Sequence, residues 1–399
     1  MSDMLELSSN VAALQPSATM AIATRAKELI AAGEDVVDLC VGEPDFPTPS
    51  FIAEAGVQAI HDGKTRYTPA AGIPQLRAAI AAEIQRLSSR EAATEAHGVV
   101  VSSGAKQALF NVIFSLFGPG DRVIVPVPYW TTYPELVRLA KAEPVFAQGP
   151  AERSYKIGVD ELEKAAAGKK VKGLMINSPS NPSGAVYSVE ELEEIARWAA
   201  ERNVWLVSDE IYRRICFEHR IAPGVFDLPK ELLERVVLID GASKAYAMTG
   251  WRLGYSYSSP ELASKITALQ SQTTSNAASP TQWAALAAYR ETEAADREIE
   301  RMRAAFEQRK QLLVRLFHEQ LPEVPFVEPG GAFYFWIGTR GLARDGEGSM
   351  ELCERLLTEA GLALVPGAAF GDDDFFRMSF AYPEDTLRDA VKRLAASRR

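Results

Sequence analysis

From Pro49 to about residue 295, short unbroken apolar runs alternate with amphipathic stretches, and this alternation constrains the fold more than any other feature. Gly98-Val-Val-Val-Ser102 leads into a helical pattern over Ala105–Phe117, and Arg122-Val-Ile-Val125 leads into one over Thr132–Ala140. Val171-Lys-Gly-Leu-Met-Ile-Asn177 precedes a helix that opens at Ser188, and Val204–Ser208 and Arg235–Asp240 are further runs of the same kind. A strand that is apolar along its whole length has both faces buried, which is the condition of a parallel sheet covered by crossover helices. The helix after Ser188 carries its own start signal. In Ser188-Val-Glu-Glu191 the serine and Glu191 side chains can each satisfy the other residue's free amide. The pattern predicts an α/β fold with a mainly parallel sheet.

The flanks read differently. Residues 14–32 place Ala23, Ala26, Leu29 and Ile30 on one side of a helix, and Val36–Cys40 follows as a short strand. Gly42-Glu-Pro-Asp-Phe-Pro-Thr-Pro49 is too proline-rich for regular structure. Beyond the alternating region, 296–320 reads as a long charged helix stopped by Pro322. Gly331–Ile337 and Phe376–Phe380 read as strands, with helices near 349–360 and 383–396, a smaller α+β unit. A length of 399 residues suggests two domains. The expected division is 48–295 for the large unit, with 1–47 and 296–399 forming the small one. No low-complexity linker is present, so a continuous helix is expected at the junction.

Composition excludes several classes. The 47% hydrophobic and 24% charged fractions are ordinary for a soluble enzyme. No apolar run reaches bilayer-spanning length, and the N-terminus lacks a secretory signal. The three cysteines, Cys40, Cys216 and Cys353, are far apart, which argues against disulfides or a zinc site and suits a reducing cytoplasm. His61, His97, His219 and His318 are scattered, so no histidine metal centre is expected. A net charge of −10 disfavours nonspecific nucleic-acid binding, and Arg398-Arg399 reads as a solvated tail.

Five positions invite a chemical reading. Lys244 follows the Arg235–Asp240 strand, where ligands of open α/β sheets gather, and Arg252 comes eight residues later. In Ser102-Ser-Gly-Ala-Lys-Gln107, Gly104 lets backbone amides approach a ligand, and the helix that follows turns its positive end toward a phosphate. This spacing is neither GxGxxG nor GxxxxGK[ST], so it does not indicate a dinucleotide or nucleoside triphosphate. Asn177-Ser-Pro-Ser-Asn-Pro-Ser-Gly184 is a rigid loop that presents Asn181. Asp209, in Ser208-Asp-Glu-Ile-Tyr212, is a carboxylate at the point where a strand leaves the core and needs a cationic partner. Arg377 lies among apolar neighbours, as a residue that captures a carboxylate does. The plain alternatives are a surface lysine, ordinary turns, a structural salt bridge at Asp209 and a solvated edge-strand arginine.

Taken together, these segments resemble the aspartate aminotransferase family of fold-type I pyridoxal-phosphate enzymes. The matching runs are Gly42-Glu-Pro-Asp-Phe, Arg66-Tyr-Thr-Pro-Ala-Ala-Gly-Ile-Pro, Ser103-Gly-Ala-Lys-Gln-Ala-Leu, Pro128-Tyr-Trp, Asn181-Pro-Ser-Gly, Ser208-Asp-Glu-Ile-Tyr and Ser243-Lys with Gly250-Trp-Arg-Leu-Gly254. They follow the family's order from about residue 14 to 395. The resemblance implies a seven-stranded sheet and a pyridoxal 5′-phosphate cofactor. It implies that Lys244 forms the Schiff base and shuttles the proton, that Asp209 pairs with the pyridine nitrogen, and that Tyr212 and Asn181 bind the phenolate oxygen. Trp130 would stack on the ring, and the phosphate would rest on the Ala105 and Lys106 amides, Ser243 and Arg252. Tyr67 would reach the neighbouring subunit's phosphate in a homodimer, while Arg377 and the Gly42 amide would bind the substrate's α-carboxylate.

The same resemblance bears on the substrate. Gln270–Ser279, where animal-type members carry an arginine for the distal carboxylate, contains none. The bacterial subgroup instead uses a lysine in the phosphate turn and a Ser/Thr pair, which points here to Lys106, Ser17 and Thr19. Members that also accept prephenate tend to have a basic residue before Pro-Ser-x-Thr, where this chain has Gln15. The expected activity is L-aspartate:2-oxoglutarate transamination. The alternatives are an aromatic, alanine or prephenate aminotransferase, or a carbon–sulfur β-lyase. Lys106 as a solvated helix-start lysine also stays open. A ligand sensor and a nicotinamide dehydrogenase fit less well, for want of a DNA-binding extension and of a glycine fingerprint.

Overall fold

The computed structural model describes residues 8, 10, 11, 18–90 and 94–398. In chain order the strands are β1 (Val37–Asp38), β2 (Val99–Ser102), β3 (Arg122–Val127), β4 (Glu143–Gln148), β5 (Gly173–Asn177), β6 (Trp205–Asp209) and β7 (Val236–Gly241). They continue with β8 (Gly254–Tyr257), β9 (Phe326–Val327), β10 (Tyr334–Gly338), β11 (Leu362–Ala363), β12 (Val365–Pro366) and β13 (Phe375–Ser379). Strands β2 to β8 form one seven-stranded sheet in the order β2-β8-β7-β6-β5-β3-β4. Every neighbouring pair in it is parallel except the two made by β8. The mainly parallel α/β sheet expected from the sequence is therefore present. The reversed strand β8 left no signal because Gly-Tyr-Ser-Tyr is short and lacks an apolar run.

Alternation of side chains across the sheet explains the unbroken apolar runs. On β5, Leu174 and Ile176 enter a core with Ile80, Ile195 and Ala284, whereas Met175 between them joins Leu109, Val112 and Ile266. Helices Pro74–Leu87, Val189–Glu201 and Ser279–Arg290 thus cover one face, and Ala105–Leu116, Thr132–Leu139 and Pro260–Thr273 cover the other. Each fully buried Leu or Ile contributes about 1.5–3 kcal/mol relative to exposure, so either face alone outweighs local propensity.

A second core gathers around the antiparallel sheet β12-β13-β10-β9. It packs Phe333 and Phe335 against Phe306, Leu313 and Phe317 of helix Thr292–Gln320, and against helices Ser349–Ala360 and Glu384–Ala396. Helix Thr292–Gln320 runs unbroken past residue 295, where the junction between the two units was expected. Glu291 (φ −87, ψ 56) separates Ser279–Arg290 from Thr292–Gln320 and lets the two helices point their apolar faces in different directions. The long helix itself joins the cores, with Ala295 and Ile299 in the first and Met302 and Phe306 in the second. β1 is shorter than the Val36–Cys40 run, because the Cys40 amide turns aside to the Asp38 carboxylate at 2.9 Å.

Beneath the end of β6 lies a buried ionic knot. The Arg213 guanidinium donates to Asp227 at 2.7 Å and to the Ala222 and Leu87 carbonyls, and stands 3.8 Å from Glu210, which is 1% exposed. One Glu210 carboxylate oxygen has no partner, and burial pushes the group's pKa up. Arg213→Met would strand two acids away from water, at a cost of about 3–5 kcal/mol. A buried acid whose folded pKa is raised loses its stability as pH climbs, so the penalty should be larger at pH 8 than at pH 6. Urea midpoints of wild type and variant at the two pH values check this. An equal loss at both would refute it.

Candidate active site

Strands β5, β6 and β7 end in register, with Asn177 opposite Asp209 and Asp209 opposite Ile239. From β3 the chain crosses outward to β4, whereas β5 leads the other way to β6 and β7, so the crossovers diverge between β3 and β5. A crevice opens at that switch point, outside the carboxyl ends of the strands. Trp130 and Tyr133 enter it after β3, Asn181 after β5, Asp209 and Tyr212 at β6, and Ser243 and Lys244 after β7. Gly42, Tyr334 and Arg377 close it from the second core, and the cavity holds about 370 Å³.

Asp209 forms the floor. It is 4% exposed, and its partners are neutral: the Tyr133 hydroxyl at 2.8 Å and the Ile211 amide at 3.2 Å. Burial pushes its pKa up to about 6, against the pull of these two bonds and of the Lys244 charge. A carboxyl so placed is completed by a cation. Across the cleft, the Tyr212 and Tyr334 hydroxyls lie 2.7 Å apart, both raised by burial and therefore protonated.

Lys244 sits in the single helical turn Ala242–Ala245, and its Nζ donates to the Gly42 carbonyl. Burial lowers its pKa to about 8, Arg377 and Arg252 push the same way, and Glu43 and Asp209 oppose them. Near neutrality, an amine of this kind has a reactive uncharged fraction that a solvated lysine lacks.

The start of helix Ala105–Leu116 faces the same space. The Ala105 and Lys106 amides donate to no group among the described residues, and the helix has no side-chain cap. Gly104 takes φ +92, and a Cβ there would stand 2.5 Å from Arg252 Nη2. Arg252 itself is left-handed (φ 57), a conformation that costs about 1–2 kcal/mol without glycine, and it donates to the Thr249 carbonyl at 2.9 Å. Orphan amides, the buried Ser243 and a fixed guanidinium make an anion cradle.

Arg377 lies on β13, which is flanked by β12 and β10, and is 4% exposed, so the solvated-edge reading does not hold. It donates to Asn181 Oδ1 at 3.0 Å and to the Cys40 carbonyl at 2.6 Å, while its buried Nε has no partner. A guanidinium held only by neutral acceptors, with a donor to spare, is a receptor for a carboxylate. Lys106 stands at the mouth with Nζ 4.9 Å from the Trp130 ring centroid, and burial of its amine and the Arg252 charge lower its pKa.

The sequence-predicted residues Lys106, Trp130, Asn181, Asp209, Tyr212, Ser243, Lys244, Arg252, Arg377, Gly42 and Ala105 thus converge on one cavity. Tyr67 does not line it and is 91% exposed on this chain. Ser17 lies outside the described residues, and Thr19 is described only as backbone of helix Ala18–Ala31. Sequence reading missed Tyr133, Tyr334 and the Thr249–Glu43 hydrogen bond at 2.8 Å, all at the cavity. Tyr133 was legible as the residue three places after Trp130, one helical turn on, and Tyr334 as the hydroxyl-bearing member of an aromatic strand.

Few ligands meet every demand of this cleft. A protonatable ring nitrogen would suit Asp209, a phosphate the helix start, a flat face Trp130 and a carbonyl the Lys244 amine. Pyridoxal phosphate has these parts in that order, and the frame around it is that of a fold-type I pyridoxal-phosphate enzyme. The family model of aminotransferase class I and II matches residues 34–394, and the chain belongs to that family. It is 40% identical over 395 residues to an aspartate aminotransferase of Streptomyces avermitilis, covering 97% of this chain and 95% of that protein. The aspartate/prephenate aminotransferase of Thermus thermophilus is 40% identical over 392 residues, with 98% of each chain covered. A solved aspartate aminotransferase of Thermus thermophilus with maleate superposes with a TM-score of 0.92 at 38% identity, covering 99% of this chain and 100% of that one.

The depressed Lys244 pKa gives a direct expectation. In cofactor-free protein, acetylation of Lys244 followed by mass spectrometry should rise with pH to a midpoint near 8, because only the uncharged amine reacts. A rate still climbing through about pH 10, as for a solvated lysine, would contradict it.

Proposed function

We propose that this chain is a pyridoxal-phosphate aminotransferase that passes the amino group of L-aspartate to 2-oxoglutarate in two ping-pong half-reactions. The observation that carries the substrate reading is a pair of cations that line the cavity from different elements: Arg377 with its unpartnered Nε, and Lys106 over Trp130. Two anion receptors suit a dicarboxylic acid, and the related Thermus thermophilus enzyme was solved with the dicarboxylate maleate.

When bound, pyridoxal phosphate supplies an aldehyde for the amino group and a cationic ring that accepts the electron pair left at the substrate's Cα. Lys244 would hold that aldehyde through its amine and, once free of it, would carry a proton from the substrate's Cα. Asp209 keeps the ring nitrogen protonated, Tyr212 and Asn181 hydrogen-bond the phenolate oxygen, and Trp130 covers the ring face. The Ala105 and Lys106 amides, Ser243 and Arg252 hold the phosphate. Tyr67, exposed here, reaches the phosphate of the neighbouring subunit in a homodimer. Arg377 and the Gly42 amide bind the α-carboxylate, while Lys106 with Ser17 and Thr19 takes the distal one.

The proposed division is a cofactor-binding unit over 48–295 and a small unit of 1–47 with 296–399, which swings Arg377 toward Lys244. No helix among the described residues is long and apolar enough to cross a membrane, in keeping with a cytoplasmic enzyme. Gln15 favours aspartate over prephenate, although a relative is named for both.

Initial rates of glutamate formation from 2-oxoglutarate with aspartate, alanine and phenylalanine as amino donors test the substrate. Aspartate should lead the panel. Lys106→Ala should raise KM for aspartate roughly 10–100-fold, the worth of a charge-assisted hydrogen bond, with little change for alanine. Equal turnover of aspartate and alanine would defeat the aspartate reading, and a Lys244→Ala protein that still transaminates would defeat the mechanism.

A further inference from the structure

Tyr133 touches the side chains of two proposed cofactor-holding residues at once, Asp209 and Trp130. It lies on the first turn of helix Thr132–Leu139, after β3, and its hydroxyl spans the end of β5 to reach Asp209 Oδ2 on β6 at 2.8 Å. Its ring meets Trp130 edge-on, with centroids 5.4 Å apart and planes at 85°. The ring is 3% exposed and packed into the core with Met175 and Val207, so the hydroxyl has no room to swing away.

We propose that Tyr133 is a positioning residue for the cofactor ring, fixing Asp209 in orientation and as the ionised acceptor while it braces Trp130 against the ring face. The inference rests on the reading that Asp209 meets the ring nitrogen. Asp209 has two oxygens, and the Ile211 amide binds Oδ1, which leaves Tyr133 as the only other hydrogen-bond donor to its side chain among the described residues. The titratable groups facing Asp209 are Tyr133 from the helix after β3, Tyr212 from its own segment and Lys244 from the turn after β7. Burial holds Tyr133 well above its usual range, so it stays a donor at every working pH. A donor of this kind favours the carboxylate form, and so leaves the shared proton on the ring rather than on Asp209.

The role differs from that of a buried tyrosine that merely needs a partner. Packing alone would leave Asp209's ionisation and the ring's protonation where they are.

Tyr133→Phe keeps the ring and its contact with Trp130 and removes only the hydroxyl. In the cofactor-free full chain, the Asp209 carboxyl midpoint, read by carbon-13 NMR of aspartate-labelled protein, should rise by about one pH unit. In the loaded enzyme, the nitrogen-15 resonance of labelled cofactor should move toward the unprotonated value. The single-turnover rate with aspartate should fall on the order of tenfold, with KM little changed. If Tyr133→Phe leaves the Asp209 midpoint or the ring resonance at the wild-type value, the positioning role is overturned. Asp209→Asn separates the two readings. If it abolishes ring protonation while Tyr133→Phe changes nothing, only the Tyr133 proposal fails. If Asp209→Asn itself leaves ring protonation intact, the reading of Asp209 fails and the proposal with it.

Discussion

The site depends on a carboxylate buried without a cation. Asp209 ends β6 in the middle of the sheet, with apolar cores on both faces and only a phenol and an amide for company. Left alone such a group is expensive, and its pKa has already moved to about 6 in response. The fold tolerates it because the crevice between the diverging crossovers leaves room for a positive partner at that point. Arg213 supports the segment from below by neutralising Glu210 and Asp227 next to it. The chain thus supplies an internal guanidinium for the acids beneath Asp209 and keeps Asp209 itself for a ligand.

The cleft is shaped from both cores, and its two cations Lys244 and Arg377 bridge it in the same way. Lys244 donates to the Gly42 carbonyl, and Arg377 to Asn181 and to the Cys40 carbonyl. Each pairs a cation with a neutral acceptor, which holds the walls together and still leaves the charge unneutralised. An anionic ligand can displace or join such contacts at little cost, whereas an Arg–carboxylate pair within the chain would compete with it. The segment after Asp209 leaves the sheet and packs into the second core. Ile211, Tyr212 and Ile215 pack with Phe333 and Tyr334, so the residues that would contact the ring are fixed by the second core as well as by β6.

Much of this was legible in the sequence because it rests on local patterns. Continuous apolar runs such as Gly173–Asn177 announced strands buried on both faces, and the residues just past their ends were the ones that converged on the cavity. Strand β8 escaped because its burial comes from packing against β2 and β7 rather than from its own composition. The break at Glu291 escaped for a related reason. Helical periodicity reports an apolar stripe but not that the stripe must turn from one core to another. Tyr133 and Tyr334 were passed over as site residues because a buried tyrosine reads first as core, and both are indeed core residues whose hydroxyls reach the cleft.

Two groups with opposite charge preferences share this cavity, and the same physical cause moves both. Burial raises Asp209 and lowers Lys244, so each approaches neutrality from its own side, and each charge partly restores the other. A cation delivered to Asp209 would restore the carboxylate while adding a further positive charge near Lys244, where Arg377 and Arg252 already favour the uncharged amine. Filling one end of the cleft therefore tunes the other, in the direction that a lysine acting as nucleophile and proton carrier requires. The coupling needs a dry crevice, since solvent at either end would screen it. The rings of Tyr133, Tyr212 and Phe333, packed beside Asp209 and Lys244, serve that requirement.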